Sequence, residues 1–398
     1  MLLPCFFLAA YADGESQQES YINENGYVCT KEIMKNTDGT SHIHTYTYDE
    51  KGNLLTASEV SKEGKAIDHQ STRVCTYYSR GNKISEIYLF SNREHENEKT
   101  AMTRTYDKKN RLIKEINVVQ TAEGIERETH TFAYDKNGNL IKDVTTYNHP
   151  DGYKGTDTIV MSYDKKNRLV KKAETDKDGS EVREKAIDVF VYDKAGNCIK
   201  EVSTVNAYGG VNKRVTVNTY DKKGNKTKAV TAERDSGDNK RNETVVYTCN
   251  KAGHVIKSVS DQKNSSGYAD KTIDTYAYNA AGKLTKHVNA YRNNEGDFRK
   301  LVETTVYDKH GREIRLATVD TRPDGTEKTV DTFAYDSKGA MTKLASVYHD
   351  AYGNVNKAVA VFTNDKNGNA VKAVWKYNST QDGSSKEVYT YTYQKVAA

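Results

Sequence analysis

Tyr134-Asp135-Lys136-Asn137-Gly138-Asn139-Leu140-Ile141-Lys142 decides the reading of this chain. An Asp followed three residues later by Gly fits a type I turn, with the Gly in the left-handed conformation of a G1 bulge. Variants recur from end to end. With the Tyr as position zero, that position falls at residues 22, 48, 77, 106, 134, 163, 192, 220, 249, 278, 307, 335, 364 and 393, a spacing of 28 or 29 after a first interval of 26. Tyr holds it except at Ile22, Cys249 and Asn364. The Gly gives way only to Asn110 and Asn167, and Asn is the residue that best tolerates positive φ after Gly. That exchange marks the motif as backbone geometry, with Asp135, Gly138, Asp193, Gly196, Asp221, Gly224, Asp308 and Gly311 among its turn residues.

Strand-forming runs precede each turn, as at residues 129–134 and 273–278, and follow it, as at 112–118 and 140–146. A second loop, usually with its own Gly (Gly39, Gly64, Gly179, Gly325, Gly383), closes each unit. The expected fold is all-β: an antiparallel meander of about 26 strands built from 13 tandem β-hairpin repeats, coiled or twisted into an elongated sheet or a shell. Residues 22–398 form a single repeat domain, 13–21 a lead-in and 1–12 a signal peptide ending in the small-x-small pattern Ala10-Tyr11-Ala12. The alternative for that apolar start is a hydrophobic cap on the first strand.

Composition agrees with an ordered β protein. Only 36% of residues are hydrophobic and 29% are charged, which leaves material for a thin core. The 29 Tyr and mere 3 Pro argue against disorder. The net charge of +5 is spread too thinly to imply a nucleic-acid partner.

Counting outward from the turn predicts the faces. Asp pairs with the residue after Gly, so the Tyr faces the Leu of the next strand. The aromatic two residues before the Tyr then faces the Lys two beyond the Leu. One face is expected to carry Phe132, Tyr134, Lys142, Lys171, Phe190, Tyr192, Lys200, Tyr276, Tyr278, Lys286, Phe333 and Tyr335. Two readings fit such a stripe. One is cross-strand cover, with the lysine stems lying on the rings. The other is a binding surface, with rings on sugar faces and lysines on anionic groups. The opposite face is expected to carry Thr and Val beside mid-strand acids such as Glu115, Asp143 and Glu201.

Tyr-Asp-x-x-Gly-Asn/Arg-Leu, as in Tyr134 to Leu140 and, with Asn for Gly, Tyr106 to Leu112, resembles the YD repeat of the RHS family of bacterial surface and secreted proteins. The motif recurs across nearly the whole chain. The resemblance implies a coiled β-sheet shell, a secreted or cell-surface location and carbohydrate binding. The period here is longer than the family's usual repeat, which implies longer strands and leaves an open ribbon as the other architecture.

No apolar run beyond the N-terminus approaches the ~20 residues of a membrane helix. A membrane barrel is set aside because the counting puts charges at mid-strand on both faces, at about 2–4 kcal/mol for each Lys or Arg in lipid. The expectation is therefore no membrane span. His42 and His44 share a strand face and could form half a metal site, but a solvated pair is the simpler reading. Residues 135–139 and 176–180 faintly resemble calcium loops, yet Ile187 stands where an EF loop counted from Asp176 needs its acid. No phosphate loop, nucleophile motif or Cys-His arrangement occurs, so no cofactor, no metal and no enzymatic activity are expected. Cys29 and Cys75 lie three strands apart, as do Cys198 and Cys249, about 14 Å against the ~7 Å a disulfide allows. Free thiols follow. The functional expectation is a non-enzymatic protein offering an extended surface to a glycan, the cell wall or a host or surface protein. The alternative is a shell or filament component that self-associates through open sheet edges.

Overall fold

The computed structural model describes residues 26–396 except 79, 80, 93–96, 208 and 382. The expected signal peptide at 1–12 and lead-in at 13–21 lie outside the described residues. All described regular structure is strand. In order these are β1 (Tyr27–Asn36), β2 (Thr40–Tyr48), β3 (Leu54–Glu63), β4 (Ala66–Tyr77), β5 (Lys83–Asn92), β6 (Asn97–Tyr106), β7 (Leu112–Thr121), β8 (Gly124–Tyr134) and β9 (Leu140–Asn148). Then follow β10 (Lys154–Tyr163), β11 (Leu169–Asp178), β12 (Glu181–Tyr192), β13 (Cys198–Ala207), β14 (Gly210–Tyr220), β15 (Lys226–Arg234), β16 (Lys240–Cys249), β17 (Val255–Asn264) and β18 (Ala269–Tyr278). The last are β19 (Leu284–Asn293), β20 (Phe298–Tyr307), β21 (Glu313–Arg322), β22 (Gly325–Tyr335), β23 (Met341–His349), β24 (Val355–Asn364), β25 (Ala370–Ser379) and β26 (Gly383–Lys395). They belong to one 26-stranded sheet, the number the repeat spacing predicts.

Two compact units divide the chain. Residues 128–330 and 348–353 make one, in which β9 to β21 pair antiparallel, each with the next. The other holds residues up to 127, 331–347 and those from 354 onward. There β1 to β7 pair in sequence, as do β24, β25 and β26.

In this second unit β26 also pairs antiparallel with β1, from Tyr27↔Lys395 to Asn36↔Glu387. The expected open or coiled sheet is thereby corrected: the meander returns to its first strand. Self-association through open end strands goes with it. The physical reason is that an end strand exposes a row of unpaired N–H and C=O groups, and pairing first with last satisfies both rows at once. The seam has its own small core, with Cys29, Ala360, Phe362, Ala370, Ala373 and Tyr391 buried together under Trp375, Tyr389 and Tyr393. Phe362 lies opposite Ala373, and Ala360 opposite Trp375, so each large ring meets a methyl group.

The turns form as their chemistry dictates. Asp135 N–H donates to the Asn139 carbonyl at 2.9 Å, and Gly138 N–H to the Asp135 carbonyl at 3.2 Å. Gly138 has φ +93°, and its two Asn counterparts, Asn110 and Asn167, have φ 66° and 59°.

One register expectation fails. Tyr192 does lie opposite Cys198, the Leu position of its repeat, but the next pair is Val191 with Lys200. Ile199 is an extra residue, a β-bulge. The same insertion follows the turn in nine further hairpins, for example at Val170, Ile256, Thr285 and Val371. A single added residue reverses the side-chain alternation beyond it. The lysines therefore leave the Tyr face, and the acids take their places: Phe190 lies opposite Glu201, not Lys200.

The bulge also explains the Tyr. The phenol of Tyr163 donates to the Leu140 carbonyl at 2.9 Å, Tyr192 to Leu169 at 2.9 Å and Tyr278 to Val255 at 3.0 Å. Each acceptor is the first strand residue after the preceding turn, and Leu169 and Val255 stand just before the extra residue. At Asn364 the side-chain amide donates to the Met341 carbonyl at 3.0 Å, keeping the bond with a different residue. Tyr192→Phe keeps the ring under the Arg168 guanidinium, 4.5 Å above its centroid, and removes only this bond. Its expected effect is a loss of about 1 kcal/mol of unfolding free energy, read from denaturant midpoints at constant slope. No measurable loss would mean that the phenol is ornamental.

Candidate functional site

The sheet presents two chemically opposed faces. On the face away from the Tyr residues, cross-strand neighbours form diagonal rows. One runs Lys228, Val246, Val259, Ile273, Ala290, Lys300 across β15 to β20. A second runs Lys171, Val189, Val202, Val215, Ala232, Asn242 across β11 to β16. A third starts at Lys257 and passes Thr275, Val288 and Val302 to Val319. Each row starts on a Lys and continues through small apolar or Thr residues. These apolar side chains are open to the surroundings: Val189 is 37% exposed, Val217 46%, Val230 38% and Val246 46%. Basic residues bound the band at both strand ends. Lys171 and Lys177 on β11 lie six residues apart, about 20 Å along the strand. Hydroxyls on this face pair with one another, as Thr45 with Ser58 at 2.5 Å, Thr47 with Thr56 at 2.6 Å and Thr76 with Ser85 at 2.7 Å.

The Tyr face holds the acids. In the unit of β9 to β21, Asp143, Asp157, Glu174, Asp188, Glu201, Glu243, Asp274, Glu303 and Asp320 all fall on it by register. Its fewer cations are engaged: Lys172 with Glu174 at 3.0 Å, Arg214 with Glu233 at 3.3 Å and Arg299 with Asp320 at 2.8 Å. Asp261 is the acid that stands mid-strand on the opposite face, and it meets Lys271 at 3.2 Å.

The bulge splits the expected binding stripe. Phe190, Tyr192, Tyr276 and Tyr278 stay on the Tyr face, and Lys142, Lys171, Lys200 and Lys286 stand on the other. Phe132 and Tyr134, like Phe333 and Tyr335, are half-buried beside exposed neighbours, the alternation of Tyr-face residues. Tyr276 stacks 4.7 Å from the ring of His287, whose nitrogens lie 3.0 Å from Asp274 and 2.9 Å from Glu303. Neither Phe190 nor Tyr276 shares a face with its predicted lysine. Sequence reasoning missed the acids of the Tyr face because Glu201 and its equivalents follow Lys by one residue, and only the bulge decides which of the two joins the rings.

Asp135, Gly138, Asp193, Gly196, Asp221, Gly224, Asp308 and Gly311 stand in the hairpin turns, where each Gly N–H donates to the carbonyl of the Asp three residues before it. Asp135 Oδ1 accepts from the N–H groups of Asn137 and Asn139, and Oδ2 from the Asn139 amide. These bonds hold its carboxyl below the usual range. At Asp308 burial opposes ionisation, but the Arg312 N–H and guanidinium, with the His310 N–H, outweigh it and bring the pKa down to about 2. These carboxylates are spent on turn geometry. No disulfide joins the four described cysteines, and Cys29 and Cys75 are buried.

No protein-family model matches the chain, and no curated protein does. Among solved structures it is similar to a porin-like protein from Bacteroides uniformis, at 13% identity over 68% of this chain and 96% of that one, with a TM-score of 0.22. It is also similar to the translocation pore of the P pilus usher PapC, at 8% identity over 94% and 99%, with a TM-score of 0.36. The resemblance to the YD-repeat family is overturned. No family model supports it, and the sheet closes through β1 and β26.

The expectation of no membrane span is corrected as well. It rested on charges reaching both faces at mid-strand. The register gathers the acids, Asp261 excepted, on one face, and a closed sheet with strands of 9 to 13 residues has the length that crossing requires. No described helix is long and apolar enough to cross, which leaves crossing by strands untouched.

Proposed function

We propose that this chain is a non-enzymatic protein of the bacterial cell envelope whose closed sheet is embedded in a lipid bilayer. The Val face meets lipid, and the acidic Tyr face lines a hydrated, cation-favouring path. The observation that carries this reading is the exposed, Lys-bounded band of Val, Ile, Ala and Thr that continues from strand to strand. Exposed apolar surface of that continuity marks contact with a membrane or a partner. Three further features favour the membrane. A sheet can cross lipid only when its edges are paired, and β1 pairs with β26. The bounding lysines are placed to extend their stems along the band and leave their ammonium groups at the headgroups. Mutual hydrogen bonds between Thr and Ser hydroxyls lower the cost of placing them in hydrocarbon.

Glycan binding gains nothing from the geometry, since rings and lysines stand on opposite faces. The test is reconstitution of the full chain into phosphatidylcholine vesicles, followed by flotation and alkaline carbonate washing. The protein is expected to float with the vesicles and to resist extraction. Quantitative recovery in the carbonate supernatant would overturn the proposal.

A further inference from the structure

We infer a transition-metal site at His42, Glu59 and His69, on neighbouring strands β2, β3 and β4. Their ligand atoms all lie within 4.8 Å of one another, and among the described residues no other His, Cys, Asp and Glu side chains converge in this way. Register builds the cluster. His42 lies opposite Ser61, and Ser61 opposite His69, so two imidazoles flank a small buried side chain. Glu59, two residues from Ser61 on the same face, reaches into the gap: its Oε1 is 3.3 Å from His69 Nε2 and 3.9 Å from His42 Nδ1.

A second observation points the same way. Asp68 is the extra residue of a bulge between Ser61↔His69 and Lys62↔Ile67. Its carboxylate lies 3.3 Å from His69 Nδ1. Carboxylates in that position fix the ring of a metal-bound histidine and turn its Nε2 toward the ion, and bulges re-aim side chains where such aim matters. Phe90 packs against the same ring at 6.0 Å. Two imidazoles and one carboxylate suit zinc and its first-row neighbours, with a coordination position left open on the Tyr face. Calcium and magnesium prefer all-oxygen sets. The cluster is independent of the bilayer reading, since it uses no residue of the Val face.

The test uses the full chain in detergent micelles, stripped with EDTA and titrated calorimetrically with Zn2+ alone. One zinc per chain is expected. Binding is expected to weaken more than about tenfold in His69→Gln and in Glu59→Gln, and about 10–100-fold in Asp68→Asn. His287→Gln, on β19, is expected to bind as the parent does. Absence of zinc binding, unchanged affinity in the double variant His42→Gln/His69→Gln, or calcium binding as tight as zinc would overturn the assignment. Should the variants lose their β-sheet circular dichroism, the parent chain with Co2+ still decides. Visible bands of mixed nitrogen and oxygen ligation support the site, and the spectrum of aqueous Co2+ refutes it.

Discussion

Phe362→Ala is expected to lower the unfolding free energy by about 3–5 kcal/mol, the usual cost of deleting a buried aromatic side chain. Phe362 is 6% exposed and is one of the two rings buried with Cys29, Ala360, Ala370 and Ala373. The neighbours that would fill its place are poor at doing so. Ala360 and Ala373 are fully buried methyl groups on paired backbones, and their short side chains cannot reach into the space a benzyl group leaves. Collapse would require β24 and β25 to shift against each other and break their hydrogen-bond ladder. The loss therefore belongs at the upper end of the cavity range. The cluster stands beside β26, where β26 meets β1, so destabilising it weakens the pairing that closes the sheet. The chain has a single Trp, and Trp375 packs on this cluster, so its emission reports on the seam directly. Guanidinium unfolding followed by that emission is the measurement. Val361→Ala is the control, since Val361 points to the other face and is 50% exposed. A loss below about 1 kcal/mol, equal to that of an ordinary surface change, would show that the seam does not depend on its core.

What the sequence made legible follows a physical line. Turn geometry is local: Asp135, Gly138 and their equivalents dictate backbone conformation within five residues, so the hairpins, their number and the Gly-to-Asn exchanges could all be read. The bulge was not legible, because Ile199 resembles any other β-branched strand residue. Its extra place is set by the pairing of Tyr192 with Cys198 across the turn and by the phenol that takes the Leu169 carbonyl. A one-residue error there moved the lysines and acids of those hairpins to the wrong face. Closure was illegible for the opposite reason: Glu32 and Tyr391 meet across nearly the whole chain, and nothing in either repeat announces a partner. The histidine cluster lies between these cases. His42 was legible only as a pair with His44 on one strand face; its ring converges instead with Glu59 and His69 on the neighbouring strands.

Val246→Arg separates the bilayer reading from a water-soluble one. Val246 sits in the row that begins at Lys228 and ends at Lys300, with Val259 as its other neighbour. In water, a change at this exposed position would alter stability by no more than about 0.5 kcal/mol, since no packing is lost and the guanidinium stays hydrated. In lipid the same guanidinium costs about 2–4 kcal/mol near the midplane and about 0–1 near an interface. The lysines at the row ends already occupy the positions where a cation can snorkel to the headgroups, so Lys257→Arg changes little in either environment. The expected result is a loss of about 2–4 kcal/mol for Val246→Arg when unfolding is measured in phospholipid vesicles, with Lys257→Arg within about 0.5 kcal/mol of the parent. Equal, small effects for the two variants would place this face in water and remove the bilayer from the function. The contrast works because the bulge sorts the two charge signs. With acids on the Val face, charge would already be present throughout the band, and adding one cation would distinguish nothing.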